Sequence, residues 1–304
     1  MKFSCNKEDL HEKNKNQSST NKVEKSRYIT PKEKDKLFSI DESKKHQDDV
    51  QKITDSSIKN IENFTSFLKE VEIILSVIPP ENAYEQAEIV ANYNSDLCKK
   101  ITYVDCNAIS PETSRKIEKL FEKQKIDFID AGIVGLNPII EKGKTRLYCS
   151  GPKADKLKIL DKNGMIVKNI GKKIGQASAF KMIYASATKG TFALHAAVIT
   201  AAHKYKLFDE YVEELEFSKP DILKSMEHMV PKIPLDAKRW EGEMYEIMKT
   251  YENINLTSKF HAGSAEIMKL AHKTPISRET RQNYNQNRTL KQAVEMYVKA
   301  IDKN

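Results

Sequence analysis

The chain has 304 residues, enough for one large domain or two of ordinary size, and carries a net charge of +8 from 51 basic and 43 acidic residues. Only 7 of the basic residues are Arg and the charge is spread along the chain, which argues against a nucleic-acid-binding protein. The most apolar stretch, 185–202, contains Lys189 and His195, and the first residues lack the apolar core of a secretory signal. The chain has four Cys and no CxxC pair, which predicts free thiols and no metal site. Together these features lead us to expect a cytoplasmic protein without a membrane span.

Residues 1–56 are polar and rich in Lys, and we predict that this segment is largely disordered or degenerate. One apolar group, Leu37–Ile40 followed by Asp41, is either a short strand that ends in an acid or an apolar patch in a tail. The first of the 10 glycines is Gly132. A GxGxxG phosphate loop, which dinucleotide-binding sheets of the usual kind carry after their first strand, is therefore excluded from all residues before it.

Residues 57–172 alternate between helix and strand patterns. Apolar residues recur at helical spacing over 58–71, and the apolar run 72–78 predicts a strand buried on both faces. The alternation predicts an α/β domain with a doubly wound parallel sheet, in which ligands bind beyond the carboxyl ends of the strands. Segments 77–80, 106–108 and 132–138 would then share one edge of this sheet. The other predicted elements are helices over 82–90 and 111–124, the latter with Ser110 as N-cap, and strands over 101–105, 127–131, 146–149 and 165–170.

Residues 173–304 carry only helical patterns. One helix of about 31 residues is predicted over 175–205, and at about 1.5 Å per residue it would span roughly 45 Å. Lys181, Tyr184, Thr188 and Lys189 fall on one face of it. This polar stripe is either a pocket, in which Lys181 moves a proton and Thr188 or Lys189 holds an anionic substrate, or the solvated edge of an amphipathic helix. Further helices are predicted near 208–217, 221–229, 235–251, 258–272 and 288–302.

Two segments after predicted strands are further candidates. Gly132 and Gly135 allow close approach of the backbone to a ligand, but an ordinary strand-to-loop turn uses the same residues. The segment 105–111 joins the end of a strand to a capped helix. It is either an ordinary loop that connects a strand to a helix or part of a ligand site.

Four segments, 73–80, 104–113, 128–135 and 175–181, occur in the order found in the β-hydroxyacid dehydrogenase superfamily, which includes 6-phosphogluconate and 3-hydroxyisobutyrate dehydrogenases. The D-A-x-x-x-G, GQASAFK and T-K-G motifs most resemble the branch with a C-terminal domain of NAD-binding 6-phosphogluconate dehydrogenase-like proteins. The resemblance covers about residues 57–300. It implies a Rossmann-like α/β domain, incomplete at its N-terminus, over 57–172, and an all-α 6-phosphogluconate dehydrogenase C-terminal-like substrate and dimerisation domain over 173–304.

The resemblance implies an NAD- or NADP-dependent oxidoreductase that forms a homodimer and acts on a small anionic hydroxy acid or a related compound. Lys181 matches the family's acid/base lysine, and Asp41 matches the acid that holds the adenosine ribose. In the better-known members a Ser stands at the position of Val134 and Asn residues stand at those of Tyr184 and Ala185. The implied substrate-binding residues are Gly132, Val134, Gly135, Tyr184, Thr188 and Lys189, and the implied cofactor-binding residues are Val77, Ile78, Pro79, Asn107 and Asp41.

The missing glycine loop leaves two functional hypotheses. The first is the oxidoreductase just described. The second is a non-catalytic relative that has lost dinucleotide binding and serves as a dimeric binding or scaffold module.

Overall fold

The computed structural model describes residues 64–97, 100–135, 144–161 and 164–303, together with the backbone of three short strands that precede them. It divides into two units. A sheet unit consists of Met1–Ile78, Asn82–Asn107 and Arg115–Ile174. A helical unit consists of Pro79–Glu81, Ala108–Ser114 and Gly175–Asn304.

The three short strands β1 (Ser26–Ile29), β2 (Leu37–Ile40) and β3 (Ile58–Asn60) form a sheet in the order β1-β2-β3. Strand β2 pairs antiparallel with β1 and parallel with β3. Strand β1 also contacts the strand Ile73–Ser76. The strand alternative for Leu37–Ile40 is thus confirmed, whereas Asp41 lies outside the described residues.

Two predictions for this region have different outcomes. The disorder predicted for residues 1–56 stays a prediction, because only the eight residues of β1 and β2 in that segment are described. The prediction for the next segment is wrong, since residues 58–60 are a strand where a helix was predicted over 58–71, and helix α1 (Phe64–Glu70) begins later. Pairing with β2 supplies the tertiary contact that outweighs the helical spacing of the isoleucines.

Five strands form the main sheet, and its order follows the chain: β4 (Ile73–Ser76), β5 (Ile101–Asp105), β6 (Ile126–Val134), β7 (Thr145–Ser150) and β8 (Met165–Asn169). Helices α2 (Ala83–Leu97) and α3 (Pro111–Phe121) connect the first three strands, which run parallel as predicted. Side chains of all five strands are buried in the core, among them Leu75, Val104, Ile129, Leu147 and, partly, Val167. The α/β fold class is therefore confirmed.

The sheet departs from the prediction at β6 and β7. Strand β7 runs antiparallel to β6, because the connection between Val134 and Thr145 is shorter than the dozen or more residues that a parallel crossover needs. The antiparallel ladder also extends β6 beyond its parallel neighbour, so Gly132 and Val134 pair with β7 inside the strand instead of lying in a loop after it.

The continuous C-terminal part of the helical unit begins at Gly175, which adopts a φ of 96° before helix α4. The helix predicted over 175–205 is α4 (Gln176–Ala185), a π-helical turn (Ser186–Gly190) and α5 (Thr191–Lys204) in succession. The five later helices are confirmed with small shifts at their ends. They are α6 (Phe208–Ser218), α7 (Pro220–Met229), α8 (Ala237–Glu252), α9 (Lys259–Lys273) and α10 (Leu290–Ile301).

Alanines of the long helix pack against the core of the helical unit, as their small size predicts. Ala193 and Ala196 are buried with Ile199 of the same helix and with Met244 and Met268 of α8 and α9. Within the part of the chain that the structure describes, no helix is both long and apolar enough to cross a membrane.

Candidate functional site

The carboxyl ends of β4 and β5 are fixed by one buried amide. The Asn107 Nδ2 donates to Ser76 Oγ at 3.0 Å and to Asp105 Oδ2 at 3.0 Å, while its Oδ1 accepts from the backbone N–H of Ile78 at 2.7 Å. Both amide protons are therefore used inside the protein. Asn107 can position the backbone that follows β4, and through it the 40% exposed side chain of Val77, but it has no proton left for a ligand.

The same row of the sheet carries two fully buried carboxylates. Backbone pairing places Ser76 next to Asp105 and Asp105 next to Asp130. Asp130 accepts a hydrogen bond from Ser150 Oγ at 2.8 Å. The carboxyl edge of the sheet is thus a polar layer whose side chains are held by hydrogen bonds, which is the kind of fixed edge that ligands use in such folds.

Gly135 ends β6 in a conformation that only glycine adopts without strain, with a φ of 117°. A Cβ atom there would lie 3.1 Å from Thr145 Cα and 3.2 Å from the Lys144 carbonyl oxygen. The turn itself accounts for this glycine, and no ligand is needed to explain it.

In the helical unit, a buried carboxylate holds the start of α3. Ser110 is the predicted N-cap, and its Oγ accepts from the Thr113 N–H at 3.2 Å. Glu246 of α8 accepts from the Ser110 N–H at 2.7 Å and from the Thr113 hydroxyl at 2.8 Å. A negative charge at a helix N-terminus is favourable because the first N–H groups have no partner within the helix.

Lys181 lies in the second turn of α4 and is partly buried. One turn later, Tyr184 is 49% exposed, and the Thr188 hydroxyl donates to the Tyr184 carbonyl oxygen at 3.0 Å. These three predicted substrate-side residues lie on the partly exposed side of the helix. The Thr188 hydroxyl would have to give up its intrahelical bond to donate a proton to a substrate.

Lys189 contacts residues of α8 within the helical unit. Its ammonium group forms an ion pair with Glu243, which is 1% exposed, and stands 5.7 Å from the centre of the Trp240 ring. Arg239 Nη1 also donates to Glu243 Oε1, at 2.6 Å. Burial lowers the pKa of Lys189, and the attraction of Glu243 opposes this shift. Since Glu243 already neutralises it, Lys189 brings little free positive charge to a substrate.

A π-helical turn interrupts the predicted long helix. The prediction assumed 3.6 residues per turn throughout, but Ser186–Gly190 contains a wider turn that changes the phase of all later residues. The shared face of Lys181, Tyr184, Thr188 and Lys189 stays a prediction. Single π turns are rare in helices and are frequent at functional sites.

Sequence reasoning missed the two buried carboxylates of α8. Glu243 and Glu246 are three residues apart on a helix whose other buried residues are mostly apolar, such as Trp240, Met244 and Ile247. Acids on the apolar face of an amphipathic helix require cationic or N–H partners, and this position is the signal that the sequence offers.

The comparisons with known proteins identify the family. Residues 33–178 match the NAD binding domain of 6-phosphogluconate dehydrogenase, and residues 202–270 match a domain of unknown function (DUF1932). An uncharacterised 28.5 kDa protein of Methanothermus fervidus is 34% identical over 203 residues, which are 66% of this chain and 75% of that protein. The chain belongs to the 6-phosphogluconate dehydrogenase-like branch of the β-hydroxyacid dehydrogenase superfamily, in a group that carries this second domain.

Solved structures show the same fold. A conserved hypothetical protein of Sinorhizobium meliloti is 18% identical, covers 82% of each chain and has a TM-score of 0.60. A 3-hydroxyisobutyrate dehydrogenase of Salmonella typhimurium is 12% identical, with a TM-score of 0.55 over 81% of this chain and 86% of that one. A conserved protein of unknown function, described as structurally similar to 3-hydroxyacid dehydrogenases, is 25% identical, with a TM-score of 0.51 over 75% of this chain and 86% of that one.

The residues present fit only part of a dinucleotide. The exposed apolar side chain of Val77, on a backbone that Asn107 fixes, suits a flat ring system at the edge of the sheet. The pyrophosphate end does not fit, because no glycine precedes Gly132 and the backbone cannot approach phosphates closely in the usual way.

Proposed function

We propose that the protein is an NAD(P)-dependent oxidoreductase that acts on a small anionic hydroxy acid or a related carbonyl or imine compound. The observation that carries the proposal is the position of Lys181. Lys181 lies three residues after the end of the match to the NAD-binding family. It is the last residue of the GQASAFK segment, at the position where the family has its acid/base lysine.

Lys181 would exchange a proton with the reacting oxygen or nitrogen of the substrate at its Nζ atom. A bound dinucleotide would supply the hydride chemistry of the family. A positioned acid/base group of this kind is worth about 10²–10⁴ in rate.

The remaining site residues are proposed to serve the two partners of this reaction. Val77, Ile78 and Pro79 would contact the dinucleotide, with Asn107 positioning them and Asp41 holding the ribose. Gly132, Val134 and Gly135 would approach the substrate through their backbone. Tyr184 and Thr188 would line its site, and Lys189 would add only a small net charge because Glu243 is paired with it.

Dinucleotide binding should be weak and measurable. Because the glycine loop is missing, we expect dissociation constants of about 1 mM for NADH and NADPH, equivalent to about −4 kcal/mol. Fluorescence titration of the purified chain with each cofactor measures this directly. No saturable binding of either cofactor at millimolar concentration would reject the proposed oxidoreductase for this chain.

A second candidate is the non-catalytic relative. It is favoured by the lack of glycine before residue 132 and by the direction of β1. Since β1 is antiparallel to β2, the chain leaves β1 at the edge opposite to the carboxyl end of β2. Any cofactor-dependent turnover by the unmodified chain would refute this candidate.

We also propose that the chain forms a homodimer through the long helix and its neighbours. Phe180 and Ile183 of α4 are 38% and 57% exposed, and apolar side chains side by side on one helix favour association. Sedimentation analysis at micromolar concentration should show a dimer, and a monomer would contradict the proposal.

A further inference from the structure

A groove lies in the helical unit, between the π turn and α5 on one side and α8 and α9 on the other. Its volume is about 670 Å³, which is within the range of small-molecule sites. Lys181, Tyr184, Thr188 and Lys189 are not among the described residues that line it. The groove is therefore separate from the site proposed for the oxidoreductase.

The floor of the groove is a chain of three polar side chains from three elements. Ser186 Oγ lies 2.7 Å from the Tyr251 hydroxyl and 3.0 Å from His261 Nε2. His261 is 5% exposed, and its Nδ1 has no hydrogen-bond partner among the residues that the structure describes. Gly190 lies against this ring edge, since a Cβ there would be 3.4 Å from His261 Cε1.

The buried Nδ1 atom indicates the direction of the bond between His261 and Ser186. A proton on Nδ1 would be a buried donor without an acceptor, which is rarer than an acceptor without a donor. Burial also lowers the pKa of His261, so the ring is neutral near neutral pH. With its one proton on Nε2, His261 donates to Ser186. In the arrangement that the proposal below uses, Ser186 in turn donates to Tyr251, and the Tyr251 proton is left for a ligand in the groove.

The walls and the rim define the rest of the ligand. Apolar side chains line the groove, and two of them are largely in contact with solvent: Leu194 is 60% exposed and Phe260 is 74% exposed. Lys259, also a lining residue, is exposed and forms no ion pair within the described part of the chain. The groove thus combines an apolar wall, a phenol that donates a proton and a free positive charge.

We propose that this groove is a binding site for an amphipathic monocarboxylate, with the carboxylate on Tyr251 and Lys259 and the hydrocarbon chain along Leu194 and Phe260. Among the residues that the structure describes, no carboxylate contacts His261 Nδ1, the atom through which the third member of a catalytic triad would orient the ring. Binding needs no dinucleotide, so this proposal does not depend on the proposed oxidoreductase.

Equilibrium dialysis of the full chain against radiolabelled decanoate, below its micellar concentration, tests the site. We expect saturable binding of one decanoate per chain, with decanol and butyrate bound at least about tenfold more weakly. Tyr251→Phe should weaken decanoate binding by about tenfold, because it removes one hydrogen bond to a charged group. Lys259→Gln should weaken it by about threefold and reduce its dependence on salt.

Matched controls are Tyr205→Phe and Lys238→Gln, which change an exposed tyrosine and an exposed lysine that do not line the groove. Both should bind decanoate as the unmodified chain does. The proposal would be overturned if the unmodified chain shows no saturable binding of decanoate. It would also be overturned if the Tyr251→Phe and Lys259→Gln variants bind decanoate as tightly as the unmodified chain. Since α5 is part of the long helix through which the dimer is proposed, decanoate binding that disappears at concentrations where sedimentation shows the dimer would assign the groove to a second copy and would also overturn the proposal.

Discussion

Replacing Lys181 with Ala should lower cofactor-dependent turnover by about 10²–10⁴ while the fold stays intact, because the variant loses the proposed acid/base group. Turnover would be measured as NADH or NADPH formation from a panel of short hydroxy acids, and in reverse from the matching carbonyl compounds. Circular dichroism and urea unfolding would show that the helical unit is unchanged. Lys238→Ala, which removes an exposed lysine of α8, is the matched control and should keep full activity.

Lys181→Arg separates proton transfer from charge. The guanidinium group keeps a positive charge for an anionic substrate, but it does not release its proton in proteins. We therefore expect KM to change little and kcat to fall nearly as far as in Lys181→Ala. Wild-type rates in Lys181→Ala would show that the site assignment is wrong. Absence of turnover in the unmodified chain, with either cofactor, would favour the non-catalytic relative instead.

The sequence predicts the helical unit well because its elements are long and strongly periodic. The five helices after Lys204 begin and end within a few residues of their predicted positions. The strands of the sheet were found through short apolar runs such as 101–105, which coincides with β5. The pairing of the strands was less predictable. The direction of β7 depends on the length of the connection between β6 and β7, and the apolar pattern of β7 does not indicate this direction.

The site is less predictable than the fold for two physical reasons. A π turn leaves no clear mark on residue spacing, so the sequence does not indicate that the helix changes phase at Ser186–Gly190. Contacts between distant residues are the second reason. Glu246 caps Ser110 across more than a hundred residues of chain, and neither residue type nor local period indicates which carboxylate meets which N–H group.

Glu243→Leu should destabilise the helical unit by about 3–5 kcal/mol, because it leaves the buried ammonium group of Lys189 without its counter-charge. Arg239, the other partner of Glu243, is half exposed and can be solvated by water instead. Urea unfolding at neutral pH, followed by far-UV circular dichroism, measures the loss. Glu295→Leu, which replaces an exposed acid of α10, is the matched control and should change stability by no more than about 0.5 kcal/mol.

The pH dependence of the variant has a defined sign. Burial already holds the pKa of Lys189 below its ordinary value of 10.5, and removal of Glu243 takes away the attraction that opposes this shift. In the folded variant Lys189 therefore binds fewer protons than in the unfolded chain over a wider range below 10.5, and stability must rise with pH across that range. From about pH 7 to about pH 9 the variant should recover more stability than the wild type gains.

The double variant Lys189→Met/Glu243→Leu separates the unpaired charge from a loss of packing. With both charges removed, stability should return to within about 1 kcal/mol of the wild type, since replacing a buried ion pair by apolar side chains is often neutral. The double variant should also lose the added pH dependence, because no buried ammonium group remains. If Glu243→Leu alone is as stable as the wild type, or the double variant stays as unstable as the single one, the unpaired charge of Lys189 is not the cause of the predicted loss of stability.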